Sequence, residues 1–80
     1  MSNVVQLPSC KKDVAKDEVV TRLSKVLYDA RIDPSDEPEA AFHLLYAMNV
    51  YHWSVISKYF DDILYELGQR YIADEIARAV

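Results

Sequence analysis

The fold is decided by residues 37–67, which read EPEAAFHLLYAMNVYHWSVISKYFDDILYEL. No proline follows Pro38 and the only glycine is Gly68, so local signals permit one helix of about 30 residues. Apolar side chains recur here at steps of three and four, the spacing of one helix face. This stripe comprises Phe42, Leu45, Tyr46, Asn49, Trp53, Ile56, Phe60, Ile63, Leu64, Leu67 and Tyr71. We interpret it as the core face of the helix.

A second apolar stripe lies on the opposite face of the first half of the same helix. Its members are Leu44, Met48, Tyr51, Val55 and Tyr59. No charged residue occurs between Ala40 and Ser57, and a helix that is apolar on two faces must be buried on two faces. A chain of 80 residues has little else with which to cover both faces. The second stripe is therefore predicted to bind a partner.

Helix length raises a related difficulty. A helix of about 30 residues is roughly 45 Å long, whereas a compact domain of this size is roughly 30 Å across. The helix is expected either to break within residues 49–57 or to be covered by another chain. Beyond Gly68 the apolar positions change face, to Ile72, Ile76 and Val80, so Gly68 is expected to end or bend the helix.

The remaining segments complete an all-α prediction. Residues 13–31 carry a helical apolar stripe with Asp13 as N-cap, and residues 32–38 form the only cluster of helix breakers. Asp36 is predicted to cap the second helix and Glu39 to close a capping box with it. The expected fold is a bundle of about three helices at 13–31, 37–67 and 69–79, completed by a second chain. It forms a single domain over residues 13–80, preceded by an extended arm at 1–12.

Composition and charge indicate the cellular location in which the protein is expected. The net charge of −4 divides into +2 over residues 1–31, with six bases and four acids, and −6 over residues 32–80, with three bases and nine acids. The single Cys10 cannot form an internal disulfide, and residues 1–9 match no secretory signal, so a cytoplasmic location is expected. A membrane span over the uncharged stretch is disfavoured, because His43, Asn49 and His52 interrupt it.

No catalytic motif is present, and one glycine cannot build a phosphate-binding loop. Glu39 and His43 share a helix face and could contact one metal ion, but His52 projects from the other side. Neither an enzyme nor a cofactor, metal or small-molecule substrate is therefore expected. The sequence favours a non-catalytic interaction module, an accessory regulator, adaptor or inhibitor of a larger protein, and its style is in keeping with a small phage-type regulator. Its contact, with that protein or with a second copy in a homodimer, is expected through Leu44, Met48, Tyr51, Val55 and Tyr59.

The alternative is a module related to nucleic acid. It takes one of two forms, an acidic mimic of DNA or a weak DNA binder. The mimic would use Asp33, Asp36, Glu37, Glu39, Asp61, Asp62 and Glu66. The binder would use Lys11, Lys12 and Lys16. Direct nucleic-acid binding is disfavoured, because the aromatic region holds only Lys58 beside Asp61 and Asp62.

Overall fold

Every regular element of the computed structural model, which describes residues 15–79, is helical. Four α-helices and one 3₁₀ segment follow one another along the chain: α1 (Lys16–Asp29), α2 (Glu37–Leu44), the 3₁₀ segment (Leu45–Asn49), α3 (Trp53–Lys58) and α4 (Phe60–Ala79). The all-α prediction is confirmed, with four helices where about three were expected. The arm predicted at residues 1–12 lies outside the described residues.

Helix α1 begins later than predicted and ends in a complete Schellman motif. Ala15 stands at its N-cap position and makes no side-chain cap, while the predicted cap Asp13 lies outside the described residues. At the other end, the N–H of Arg31 donates to the carbonyl of Tyr28 and that of Ile32 to the carbonyl of Leu27, both at 3.0 Å. Arg31 has φ 62°, a left-handed conformation that usually favours glycine. Burial of both Ile32 and Leu27 holds this turn in place.

The cap of α2 confirms the predicted boundary. A side-chain oxygen of Asp36 accepts from the N–H of Glu39 at 3.3 Å, and Pro38 lies in the first turn. The N–H of Asp36 itself donates to the carbonyl of Asp33 at 2.9 Å, so the reciprocal half of the capping box is not formed. Asp33 also accepts from the N–H and the hydroxyl of Ser35, each at 2.8 Å, which lowers the pKa of its carboxyl.

The long predicted helix is interrupted at two places. The first, at residues 50–52, lies inside the window where a break was expected, and the second, at Tyr59, lies just outside it. Helix α2 tightens into the 3₁₀ segment, and α3 then begins at Trp53. His52 has extended backbone angles (φ −63°, ψ 145°), and its Nδ1 accepts from the N–H of Ser54 at 3.1 Å. The imidazole therefore caps α3 in the way that an Asn or Asp side chain would.

Helix α4 runs without interruption through Gly68, so the prediction of a helix end there and a separate helix at 69–79 is wrong. Gly68 keeps a negative φ, and a glycine in a helix interior costs only about 1 kcal/mol. Packing against α1 stabilises the helix on both sides of this position.

Helices α1 and α4 run parallel and side by side. Three pairs join them: Lys16 with Asp62, Ser24 with Arg70, and Tyr28 with Asp74. Each pair is 46 positions apart, which requires the two helices to advance in the same direction and in register.

The core uses the predicted stripe only in the second half of the long segment. Its fully or nearly buried apolar residues are Val19, Leu23, Leu27, Ile32, Ala40, Leu44, Tyr51, Val55, Ile56, Ile63, Leu64 and Leu67. In the first half the faces are exchanged: Phe42 and Tyr46, expected inside, are 60% and 75% exposed, whereas Leu44 is buried. The break at residues 50–52 explains the exchange, because the helical phase of α3 and α4 no longer fixes the orientation of α2.

Candidate interaction surface

The structure does not bring the five predicted contact residues to one surface. Leu44, Tyr51 and Val55 are buried within the chain, at 0%, 1% and 6% exposure. Tyr59 is half-buried against the core, and only Met48, at 42%, is exposed. Three of the five therefore stabilise the monomer and are not available for surface contact in this fold.

Tyr51 connects the second half of the chain to α1 by hydrogen bonds as well as by packing. Its hydroxyl donates to the Glu18 carboxylate at 3.0 Å and accepts from the Arg22 guanidinium at 3.4 Å. The hydrogen bond with Tyr51 raises the pKa of Arg22, and the charge of Glu18 acts in the same direction. This arrangement leaves the Arg22 side chain 60% exposed beside the apolar surface described next.

That surface, here called the α2 patch, consists of apolar side chains that the rest of residues 15–79 leaves uncovered. Its members are Val26, Phe42, Leu45, Tyr46, Met48 and Val50. Five of the six come from α2, the 3₁₀ segment and the residue after it, and Val26 comes from the facing side of α1. At roughly 100 Å² of exposed area each, the six side chains expose about 600 Å² in total, an area comparable with the largest apolar patch of a typical monomer. Three of the six, Val26, Tyr46 and Val50, line one groove.

A groove of about 420 Å³ lies between α1 and the α2 patch. Val26, Tyr46 and Val50 line its apolar part, and the rings of His43 and Tyr46 meet edge to face at 5.9 Å between centroids. Arg22 and His43 are the titratable side chains that line it besides tyrosine; no carboxylate does. The groove can therefore accept a large apolar side chain with an anionic group beside it.

Another set of exposed apolar residues, distinct from the two stripes predicted for residues 37–67, lies on the outer face of α4. Tyr65, Ile72 and Ile76 are 68%, 48% and 61% exposed and lie within about 40° of one another around the helix. Ile72 and Ile76 are two of the positions to which the apolar pattern was expected to move after Gly68; the third, Val80, lies outside the described residues. Tyr65 precedes Gly68 on the same face, so this outward-facing stripe crosses Gly68 on one continuous helix.

The basic residues of α1 are engaged within the chain. Lys16 lies 3.5 Å from Asp62, and Lys25 lies 3.0 Å from Asp29. Arg22 lies 3.9 Å from Glu18. Each base has an acidic neighbour, so α1 does not present the unbroken cationic stripe that binds phosphates. Lys11 and Lys12, the other two bases of the nucleic-acid hypothesis, lie outside the described residues.

Neither a metal site nor a membrane-spanning helix is found in the described part of the chain. Within residues 15–79 no three His, Cys, Asp or Glu side chains lie close enough together to hold an ion. No helix in the same range combines the length and the apolar character needed to cross a bilayer.

Comparison with known proteins identifies no relative: no family model matches the chain, and no curated protein or solved structure shows significant similarity to it.

The α2 patch was missed because the apolar stripe from Phe42 to Tyr71 was drawn with one helical phase, although a break within residues 49–57 was one of the two expected outcomes. One local signal pointed to the break, namely the run from Asn49 to Ser54, which holds several residues with capping side chains and few strong helix formers. If the residues before and after that run belong to two separate helices, the buried face of the second helix does not determine which way Phe42 and Tyr46 point. Which way α2 turns is decided only by its packing on α1.

Proposed function

We propose that this protein is a non-catalytic protein–protein interaction module, an accessory regulator, adaptor or inhibitor, and that it binds its partner through the α2 patch. The observation that carries the proposal is the exposure of Phe42 and Tyr46 beside a groove lined by Arg22 and His43. Exposed aromatic rings next to an arginine are the residue types that protein interfaces favour.

The contact surface proposed here differs from the stripe predicted from sequence. Met48 is the one member that the two share. Leu44, Tyr51 and Val55 are buried members of the hydrophobic core, so they stabilise the fold that presents the α2 patch and are not members of the patch.

A matched pair of tyrosine variants tests the proposal. Tyr46 in the α2 patch and Tyr65 on the outer face of α4 are 75% and 68% exposed, so an aspartate at either position should leave the fold intact. The immobilised full chain is used to capture proteins from a lysate of its source cells. The captured protein is then purified and titrated against wild type, Tyr46→Asp and Tyr65→Asp.

We expect Tyr46→Asp to weaken binding by at least tenfold, because it places a carboxylate at the centre of a desolvated contact. Tyr65→Asp should bind as wild type does. Equal binding by Tyr46→Asp and wild type would remove the α2 patch from the proposal. Circular dichroism of both variants establishes that the comparison is between folded proteins.

A further inference from the structure

We infer that the α2 patch pairs with the α2 patch of a second copy of this chain, in a two-fold symmetric dimer held by Phe42 and by Arg22–Glu39 ion pairs across the axis. This inference rests on the proposed function, since it names the partner of the same surface. It is based on self-complementarity: the patch has an apolar groove and an exposed apolar ring, and it has a base, Arg22, at one end and an acid, Glu39, at the other.

The patch contains both halves of a contact. The groove between α1 and α2 is apolar in its middle and has Arg22 and His43 as its charged or ionisable lining besides tyrosine. In the residue before His43, which lines the groove, α2 presents Phe42 at 60% exposure, one turn after the exposed Glu39. An apolar ring with a carboxylate one turn away is the ligand that the groove is suited to accept. The chain thus carries the groove and its complement on adjoining surfaces.

The acid and the base lie at opposite ends of the patch. Helix α2 starts after the turn at Ile32, which packs beside Leu27 at the C-terminal end of α1. From there the chain runs back along α1 until the Tyr51 hydroxyl reaches Glu18 and Arg22, nearer the N-terminal end. Glu39, in the first turn of α2, is therefore far from Arg22, and the two do not pair within one chain.

A two-fold axis through the middle of the groove exchanges these ends. It places Glu39 of each copy opposite Arg22 of the other, forming two equivalent ion pairs, and it brings each Phe42 to the other copy's groove. Self-complementarity of this kind is what a symmetric dimer interface requires. Within residues 15–79 the Glu39 carboxylate has no ion-pair partner. The Arg22 guanidinium contacts Glu18 at 3.9 Å and donates to the Tyr51 hydroxyl at 3.4 Å, but its side chain is 60% exposed and its remaining N–H groups can bind a second carboxylate.

The area is sufficient for a modest dimer. Standard interfaces bury about 800 Å² on each partner, and the apolar part of the α2 patch supplies about 600 Å² before its polar rim is counted. We expect a dissociation constant in the micromolar range, with association strengthened at low ionic strength.

Charge reversal tests the pairing directly. Sedimentation equilibrium of the full chain is measured for wild type, Arg22→Glu, Glu39→Arg and the double variant. Each single reversal places like charges together twice per dimer and should raise the dissociation constant at least tenfold. The double variant restores both pairs and should return to within about threefold of wild type. A local folding defect would not be rescued in this way, because the two residues do not meet within one chain.

Two further variants define the surface. Phe42→Asp should give a monomer at every concentration studied, and Tyr65→Asp on the outer face of α4 should dimerise as wild type does. A monomeric wild type, or a double variant as weak as the single ones, would overturn the dimer. Either result leaves the proposed function standing if a captured protein still loses affinity with Tyr46→Asp. Dimerisation that depends on Tyr65 and not on Phe42 would place the contact on α4 instead and also overturn the inference.

Discussion

Replacing Gly68 with alanine tests whether α4 is one helix, because the sign of the effect differs between the two possible structures. In the structure Gly68 has a negative φ, and a Cβ built there meets no atom within 4 Å outside its own stretch of helix. The added methyl group should therefore neither clash nor gain packing. What remains is the intrinsic helix preference of alanine over glycine, about 0.8–1 kcal/mol.

Gly68→Ala is thus expected to raise the free energy of unfolding by about 0.8 kcal/mol and the melting temperature by about 3–6 °C in a domain of this size. Urea unfolding and thermal unfolding, both followed by circular dichroism at 222 nm, measure these quantities. The slope of the urea transition should not change, since the surface exposed on unfolding is nearly the same.

The opposite sign would refute the reasoning. If the chain ended a helix at Gly68 in a left-handed conformation, alanine would destabilise the protein by about 1 kcal/mol. Gln69→Gly at the neighbouring exposed position is the matched control and should lose about 0.5 kcal/mol, because it adds a glycine to the same helix. If neither substitution changed the stability, the helix around these positions would not contribute to the folded state.

Substitutions at four other positions probe single interactions or the burial of a side chain, each by urea unfolding. Tyr28→Phe should lower stability by removing the hydrogen bond to Asp74; this bond raises the pKa of Tyr28, so its contribution is complete below about pH 10 and is lost as pH rises through the raised value. His52→Ala should cost about 1 kcal/mol by removing the cap of α3, while His52→Asn should retain most of it. Val55→Asp should cost more than about 3 kcal/mol because it buries a carboxylate, whereas Met48→Asp, on the surface, should cost less than about 1 kcal/mol.

Each of these has an outcome that would contradict it. A stability difference between Tyr28→Phe and wild type that stayed constant up to about pH 11 would show that the hydroxyl is not bonded to a carboxylate. Equal stability of the alanine and asparagine variants at position 52 would assign no capping role to the imidazole. If the Val55→Asp protein folded normally but associated differently, Val55 would be a surface contact residue, as the sequence analysis predicted, and not a buried one.

The prediction from sequence succeeded where local rules operate. The shortage of glycine and proline excluded a β fold, and the apolar spacing gave helices. The breaker cluster at residues 32–38 placed the start of α2, because Asp36 caps it through contacts only three residues apart. The length argument left two outcomes open, a break within residues 49–57 or cover by another chain, and the interruption at residues 50–52 matches the first.

The prediction failed where the buried face of a helix depended on contacts with distant parts of the chain. Extending a single helical phase across residues 50–52 assigned Phe42 and Tyr46 to the core and Leu44 to a partner. Packing on α1 reversed both assignments. After Gly68 the sequence correctly recorded apolar side chains off the core stripe, at Ile72 and Ile76. The register of α4 against α1 determined that these side chains form an outward stripe and do not mark the end of the helix.

By itself, then, the sequence determined that the chain is helical, where α2 starts and that its apolar surface exceeds what one small core can hold, since caps, turns and periodicity act over a few residues. Only the tertiary structure decided which apolar residues fill the core and which remain exposed as the α2 patch. Those roles depend on how separately phased helices turn against one another, and that rotation is fixed by contacts between residues as far apart as Glu18 and Tyr51.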